Sequence, residues 1–365
     1  MKNKNGLTKR NFSLIYLIII TGILISINGC NKSSDSSTNG PNPVNGNQWS
    51  ELGSLKANGD IASLCSDVSG NIYAAGAFTD SSGKYYIAKW NGSSWSELGN
   101  LNANGVIDMI CSDVSGHIYA TGSFTNGSNQ LYIAKWDGSS WSDMGIHTDY
   151  YQYIKICIDA NNNLYAGGML ENSNGYMYVY KWNGFAWSNL GNFNTNDAIT
   201  SLCADANGLV YESAATIGGA GAPYVAKWDG QWSRLANLNT NSGVVSASFT
   251  DASGKLYVAG DFYNPSGKFF MAKLNGSSWD EFGSLNGYIA SLCTDANGNI
   301  YAGGSFSINN NGFAIAKLVT GNWSEIGSLN ANMNILAICS DGSGNIYAGG
   351  NFKNSNGKFY VAVYK

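Results

Sequence analysis

The 365-residue chain carries 20 basic and 24 acidic side chains, and charged residues make up only 12% of it, about half the usual share. No stretch gathers Lys and Arg into a face that could track phosphates, so nucleic acid is excluded as a partner. Glycine and tyrosine are abundant, with 46 and 22 copies, which favours turns and strands over helices.

Residues 1–29 read as a secretory signal. Lys2, Lys4, Lys9 and Arg10 precede the apolar run LIYLIIITGILISI at 14–27, which is too short for a stable membrane span. Gly29 and Cys30 end the stretch, and the whole arrangement resembles a bacterial lipobox. That resemblance implies lipid attachment at Cys30 and hence membrane as a partner, because more than one acyl chain holds a protein stably to a bilayer. Asn31 rather than Asp follows the cysteine, and the expected site is the outer membrane, facing the periplasm or the cell surface. Loss of 1–29 removes four basic residues and no acidic one, so the chain from Cys30 carries eight more acidic than basic side chains. Residues 30–48 (CNKSSDSSTNGPNPVNGNQ) hold almost nothing apolar and read as a flexible, lipid-anchored tether.

From residue 49 to 365 one pattern repeats seven times. Its leading tryptophans are Trp49, Trp95, Trp141, Trp187, Trp232, Trp279 and Trp323, spaced by 46, 46, 46, 45, 47 and 44 residues. A period of this length indicates a propeller, solenoid or array. Within a unit, short apolar runs such as 61–65, 72–78, 85–90 and 95–99 alternate with Gly-, Asn- and Ser-rich turns. They predict four antiparallel strands, a to d. No part of 49–365 shows a helical period. The fold expected is all-β: a seven-bladed β-propeller with four antiparallel strands per blade. The chain starts on a lone d strand at Trp49 and finishes on a c strand at 359–364, so the two ends are expected to close one blade together and remove its open edges.

The recurring residues have mechanical readings. Cys65, Cys111, Cys157, Cys203, Cys293 and Cys339 occupy one position of six repeats and Phe249 takes it in the fifth, which fits a buried hydrophobe and not a metal ligand or disulfide. Asp67, Asp113, Asp159, Asp205, Asp251, Asp295 and Asp341 open the a–b turns, with Gly three residues on except at Asn162. They are expected to cap turns, since the second carboxylate of a calcium cage does not recur. The lysines at 89, 135, 181, 227, 273 and 317 on strand c are expected to snorkel or pair across strands. His117 stands in an ordinary turn position and is expected to be exposed and inert.

Taken as one unit, A-K-W-N/D-G-x-x-W-S-E-L-G followed by D-x-S/N-G-N-I-Y-A-G-G-x-F resembles kelch/galactose-oxidase-like propellers. It is most similar to the W-x-x-L-G…L-Y-x-G-G-x-F repeats of bacterial surface and fungal cortical-marker propellers. The resemblance covers 49–365 through Trp49, Leu52, Gly53, Tyr73, Gly76, Phe78 and their equivalents. It implies a fold and no particular reaction. Galactose oxidase holds copper with Tyr and His; this chain has only His117 and His147, so no cofactor is carried over and none is expected.

Function is expected where the repetition fails. The d–a and b–c loops share one face of a propeller, and here that face varies while the a–b and c–d turns stay short and uniform. The largest departure is 146–153 (IHTDYYQY), where other repeats read L-x-A-N-G-x. His147, Asp149, Tyr150, Tyr151 and Tyr153 within it suit a glycan or a peptide. The alternative is a diverged loop whose tyrosines fill the core. The chain thus reads first as a membrane-anchored extracytoplasmic binding module for a glycan or protein partner, and as a monomer. A scaffold in a surface complex is one alternative, and a hydrolase or lyase with its site on the variable face is another.

Overall fold

A computed structural model describes residues 48–148, 153–168, 178–191, 197–215, 222–240, 242–308 and 312–365. Cys30 and the tether lie outside the described residues, as do Asp149, Tyr150 and Tyr151. Seven four-stranded antiparallel sheets are present, each ordered a-b-c-d. Blade 1 contains Ile61–Ser66, Ile72–Gly76, Ala88–Trp90 and Trp95–Glu97. Blade 7 joins Ile335–Ser340, Ile346–Gly350 and Ala362–Tyr364 to Trp49–Glu51. Trp49 pairs with Tyr364 and Glu51 with Ala362, so the ring closes through its own two ends. Strand a of every blade packs against strand a of the next, back to the first, and these strands form the innermost ring.

One row of paired residues runs across each blade at the end where the a–b and c–d turns lie. In blade 1 it is Ser66–Ile72–Trp90–Trp95, and in blade 7 Ser340–Ile346–Tyr364–Trp49. The two rings that end the row pack tilted, with centroids 5.7 Å apart in blade 1 and 5.3 Å in blade 7. The d-strand tryptophan also reaches its neighbour. Trp95 Nε1 donates to the Leu52 carbonyl at 2.6 Å, and Trp49, Trp141, Trp187 and Trp279 make the same bond to the preceding blade at 2.6–2.9 Å. Gly53 follows Leu52 because its φ is +60° and a Cβ there would run into the Trp90 ring, a position that only glycine fills without strain.

The turn aspartates act as their spacing predicts. Asp67 Oδ1 accepts from the amides of Ser69 and Asn71, and Oδ2 from the Tyr73 hydroxyl at 2.9 Å. Six blades make this Tyr-to-Asp bond, at 2.8–3.2 Å. The residue three after the aspartate takes a positive φ in all seven turns, Asn162 included. Lys89, Lys135, Lys181, Lys273 and Lys317 then lie over the rings of those tyrosines, 5.4–5.7 Å from the centroid. Lys227 instead pairs with Asp229 at 2.7 Å. The six cysteines are buried thiols inside the clusters that fill the gaps between blades. Phe249 occupies the same slot by stacking on Tyr257 at 4.8 Å. Burial pushes the thiols up, Cys203 to about 12, so they stay protonated and inert.

His117 corrects one expectation. It is only part-exposed, and its Nδ1 sits 2.7 Å from Asp113 Oδ2. There it replaces the contact that Asn71 makes to Asp67 in blade 1.

Two expected outcomes test this architecture. Deletion of residues 31–54 takes away the strand that completes blade 7 and lowers the melting temperature by roughly 10 °C or more; an unchanged melt would count against closure. Trp95→Phe keeps the ring but loses the bond to Leu52, which costs about 1–2 kcal/mol in denaturant unfolding.

Candidate functional site

The two faces differ in how strictly the repeat holds. On the turn face, a–b turns close with matching hydrogen bonds, as Gly70 to Asp67 and Gly298 to Asp295. The opposite, variable face carries the departures, and they gather where the inner strands begin.

Six inner strands contain a bulge near their start, at 61/63, 107/109, 199/201, 245/247, 289/291 and 335/337. In blade 3 the strand Ile154–Ile158 pairs without interruption. The register therefore places Lys155 opposite Gly167, where other blades set Ser63, Met109, Ser201, Ala247, Ser291 or Ala337 against the equivalent residue. The bulge residue of the neighbouring blade 2 is Asp108, against Ala62, Thr200, Ser246, Ala290 and Leu336 elsewhere. Burial raises the Asp108 carboxyl to about 6 while Lys155 pulls it back. Burial likewise lowers the Lys155 ammonium to about 8 against the opposing pull of Asp108. The Lys155 Nζ lies 5.1 Å above the ring of Tyr153. An aspartate, a lysine and a half-buried tyrosine thus meet at one inter-blade seam.

Part of the stretch 146–153 is not a loop. Strand d of blade 2 runs on as Trp141–Thr148 and pairs His147 with Tyr132 and Thr148 with Leu131. Gly145 takes φ +77°, as Gly53 and Gly99 take +60° where strand d stops, and here the strand resumes past it with its register shifted between Tyr132 and Ala134. His147 Nε2 sits 2.8 Å from Asp143 Oδ2 in an exposed pair. His147 is therefore held by Asp143 on the rim, and Tyr153 by Lys155 near the axis. The other three residues of the expected site lie outside the described residues.

Further polar side chains mark the same end of the ring. Asn351 Nδ2 donates to Asp60 Oδ2 at 2.6 Å, and Ser305 Oγ to Asn334 Oδ1 at 3.1 Å. Burial raises the carboxyls of Asp60 and Asp261, and Asp261 in turn raises the phenol of Tyr288 alongside burial. Between blades 5 and 6 a shallow cavity of about 290 Å³ opens on this face, lined by Lys268, Leu285, Asn286, Ile308 and Trp323 among others. Carboxylates, amides and aromatic faces of this kind recognise hydroxyl-rich or peptide ligands. Asp60, Asp108, Lys155 and Asp261 were not singled out by sequence. For Asp108 and Lys155 the signal was a column of small or uncharged residues interrupted once, but spacing along the chain does not show that the two columns meet at one seam.

Glu212 departs differently. It lies mid-strand in blade 4, opposite Leu202 and Ala226, where other blades have Ala74, Ala120, Ala166, Val258, Ala302 and Ala348. It is 1% exposed, neither carboxylate oxygen has a hydrogen-bond partner, and burial alone raises it to about 8.

Comparison with known proteins agrees on the fold. Residues 252–278, inside blade 5, match a family model described as a domain of unknown function (DUF5122) beta-propeller. No curated relative matches the chain. Among solved structures, a catalytically inactive virginiamycin B lyase from Staphylococcus aureus with quinupristin is 12% identical at TM-score 0.64, over 88% of this chain and 99% of that one. YCF48 bound to D1 peptide is 15% identical at TM-score 0.58, over 88% and 98%. The extracellular domain of a B. thetaiotaomicron protein described as a hybrid two-component system is 13% identical at TM-score 0.58; the match covers 87% of this chain and 39% of that one. At these identities the likeness speaks for the propeller alone.

Glu212 gives a pH-dependent outcome. An unfolded glutamate titrates near 4.3 and the buried one at about 8, so unfolding releases a proton between these values. Stability therefore falls as pH rises through that window and levels off above it. Glu212→Ala restores the residue of five other blades, removes this slope and stabilises the protein at pH 8 by on the order of 3 kcal/mol. Melting curves at pH 5 and pH 8 check it; an equal shift at both would refute the buried charge.

Proposed function

We propose that this is a kelch-like propeller lipoprotein, anchored through Cys30 to an outer membrane, whose variable face binds a glycan or a protein partner. The observation that carries the reading is the concentration of non-repeating polar and aromatic side chains where the inner strands begin, Asp60, Asp108, Tyr153, Lys155 and Tyr288, against a turn face that repeats. At the Asp108 and Lys155 positions the other blades carry uncharged residues that are small or apolar, which is what a packing role alone calls for. In the sequence, Asp149, Tyr150 and Tyr151 lie between strand d of blade 2 and strand a of blade 3, directly after His147 and Thr148. An extracytoplasmic setting is supported by the signal-like residues 1–29 and agrees with the extracellular placement of one structural neighbour.

The soluble domain, residues 44–365, tests this on a glycan array and in pull-downs with defined protein pools. Two variants identify the face: Tyr150→Ala with Tyr151→Ala, and Asp108→Ala with Lys155→Ser, which restores the Ala62–Ser63 pair of blade 1. At least a tenfold loss of binding with an unchanged melting temperature is the expected outcome. Binding that survives both pairs, or melting that collapses with the tyrosines, would assign those residues to packing.

A further inference from the structure

The propeller has a built-in orientation. Trp49 stands in the row Ser340–Ile346–Tyr364–Trp49, at the end of blade 7 where the Asp341 turn closes. Whatever precedes Trp49 thus joins the ring on its turn face, at the outer rim where strands d lie. The 18 residues 31–48 can reach at most about 65 Å even if fully extended. A surface holding Cys30 is then kept within a few nanometres of that rim.

The same face carries the exposed apolar side chains. Among the described residues six large hydrophobics are exposed, and four of them belong to turns of this face: Val68 at 60%, Val114 at 50%, Phe185 at 92% and Val319 at 46%. Val68 and Val114 directly follow capping aspartates, and the equivalent residues of the next four turns, from Ala160 to Ala296, are exposed alanines. The aspartates themselves turn inward, Asp67 and Asp113 being buried against their turn amides and tyrosines. Six of the seven a–b turns therefore present a methyl or isopropyl group where their sequence also holds a carboxylate; the seventh has Gly342. Phe185 stands where blades 1 and 2 carry Ser93 and Ser139, at the tip of a turn whose own bonds run from the amides of Phe185 and Ala186 to Asn183. Its ring takes no part in the turn and projects outward.

We infer that the face of a–b and c–d turns rests against the lipid surface to which Cys30 is attached, so that the variable face points away from it. This rests on the lipid-anchor reading of Cys30. Interfacial apolar side chains and a tether entering on one face act in the same direction: the tether supplies local concentration, and Phe185 with the valines biases which face meets the headgroups.

The test uses the full acylated chain in vesicles of phosphatidylethanolamine and phosphatidylglycerol. Single reporters are placed at Ala206→Cys and Ala296→Cys on the turn face and at Ser81→Cys and Ser266→Cys on the variable face. Each carries an environment-sensitive fluorophore, the six core thiols being buried. Bilayer-borne spin-label quenching at least threefold stronger for the turn-face reporters is expected, falling when Phe185→Ser is added. Equal quenching, or stronger quenching of Ser81→Cys and Ser266→Cys, in protein that still incorporates labelled palmitate overturns the orientation and leaves the anchor standing. Palmitate incorporation that is absent, or unchanged by Cys30→Ala, overturns both.

Discussion

A four-stranded sheet of this kind is apolar on both faces, and neither face can stay in water. Ile61, Leu64 and Ala74 of blade 1 pack toward blade 7, while Cys65, Tyr73 and Ala75 pack toward blade 2. Every blade therefore needs a neighbour on each side, and only a closed ring supplies that for all seven. Closure in turn needs the last blade to be whole, which is why the pairing of Trp49 with Tyr364 bears on blades far from it. The Trp Nε1 bonds that five blades make to the preceding one extend the same dependence along the outer rim.

Within that ring the scarce charges are mostly committed. The turn aspartate accepts two amides and a tyrosine hydroxyl, and in five blades the tyrosine ring lies under a lysine. In those five blades this chain of Asp, Tyr and Lys holds a carboxylate and an ammonium without leaving either as a bare buried charge. Exceptions then become informative. Asp108 and Lys155 lie outside the scheme at the inner seam of blades 2 and 3, and Glu212 lies outside it with no hydrogen-bond partner among the described residues. The first pair joins a half-buried tyrosine at the variable end of the ring; the second is a penalty built into blade 4.

Much of the fold was legible before any coordinates. The tryptophan spacing, the D-x-x-G turns and the alternation of short strands each report a local backbone requirement that repeats seven times, so errors at one repeat are corrected by the others. The site was legible only in part. His147 and Tyr153 were singled out as members of one loop, yet one continues a strand held by Asp143 and the other covers Lys155. Asp108 and Lys155 stand in the same columns as Ala62 and Ser63 when counted from the strand-a cysteines, but spacing along the chain does not show that these two columns face each other across the seam of blades 2 and 3.

What the sequence determined by itself is therefore whatever depends on neighbours a few residues away or one repeat away: strands, turns, blade number, ring closure and the burial of the cysteines. Only the tertiary structure decided which side chains meet across blades, because a strand's partners in the next blade lie some 46 residues off and depend on a register that a bulge can change. It decided that Asp108 and Lys155 share a seam, that Glu212 is buried without a partner, and that the chain joins the ring on the face where Val68, Val114 and Phe185 stand exposed. Local repetition specifies the blade, and inter-blade geometry specifies what its exceptions face.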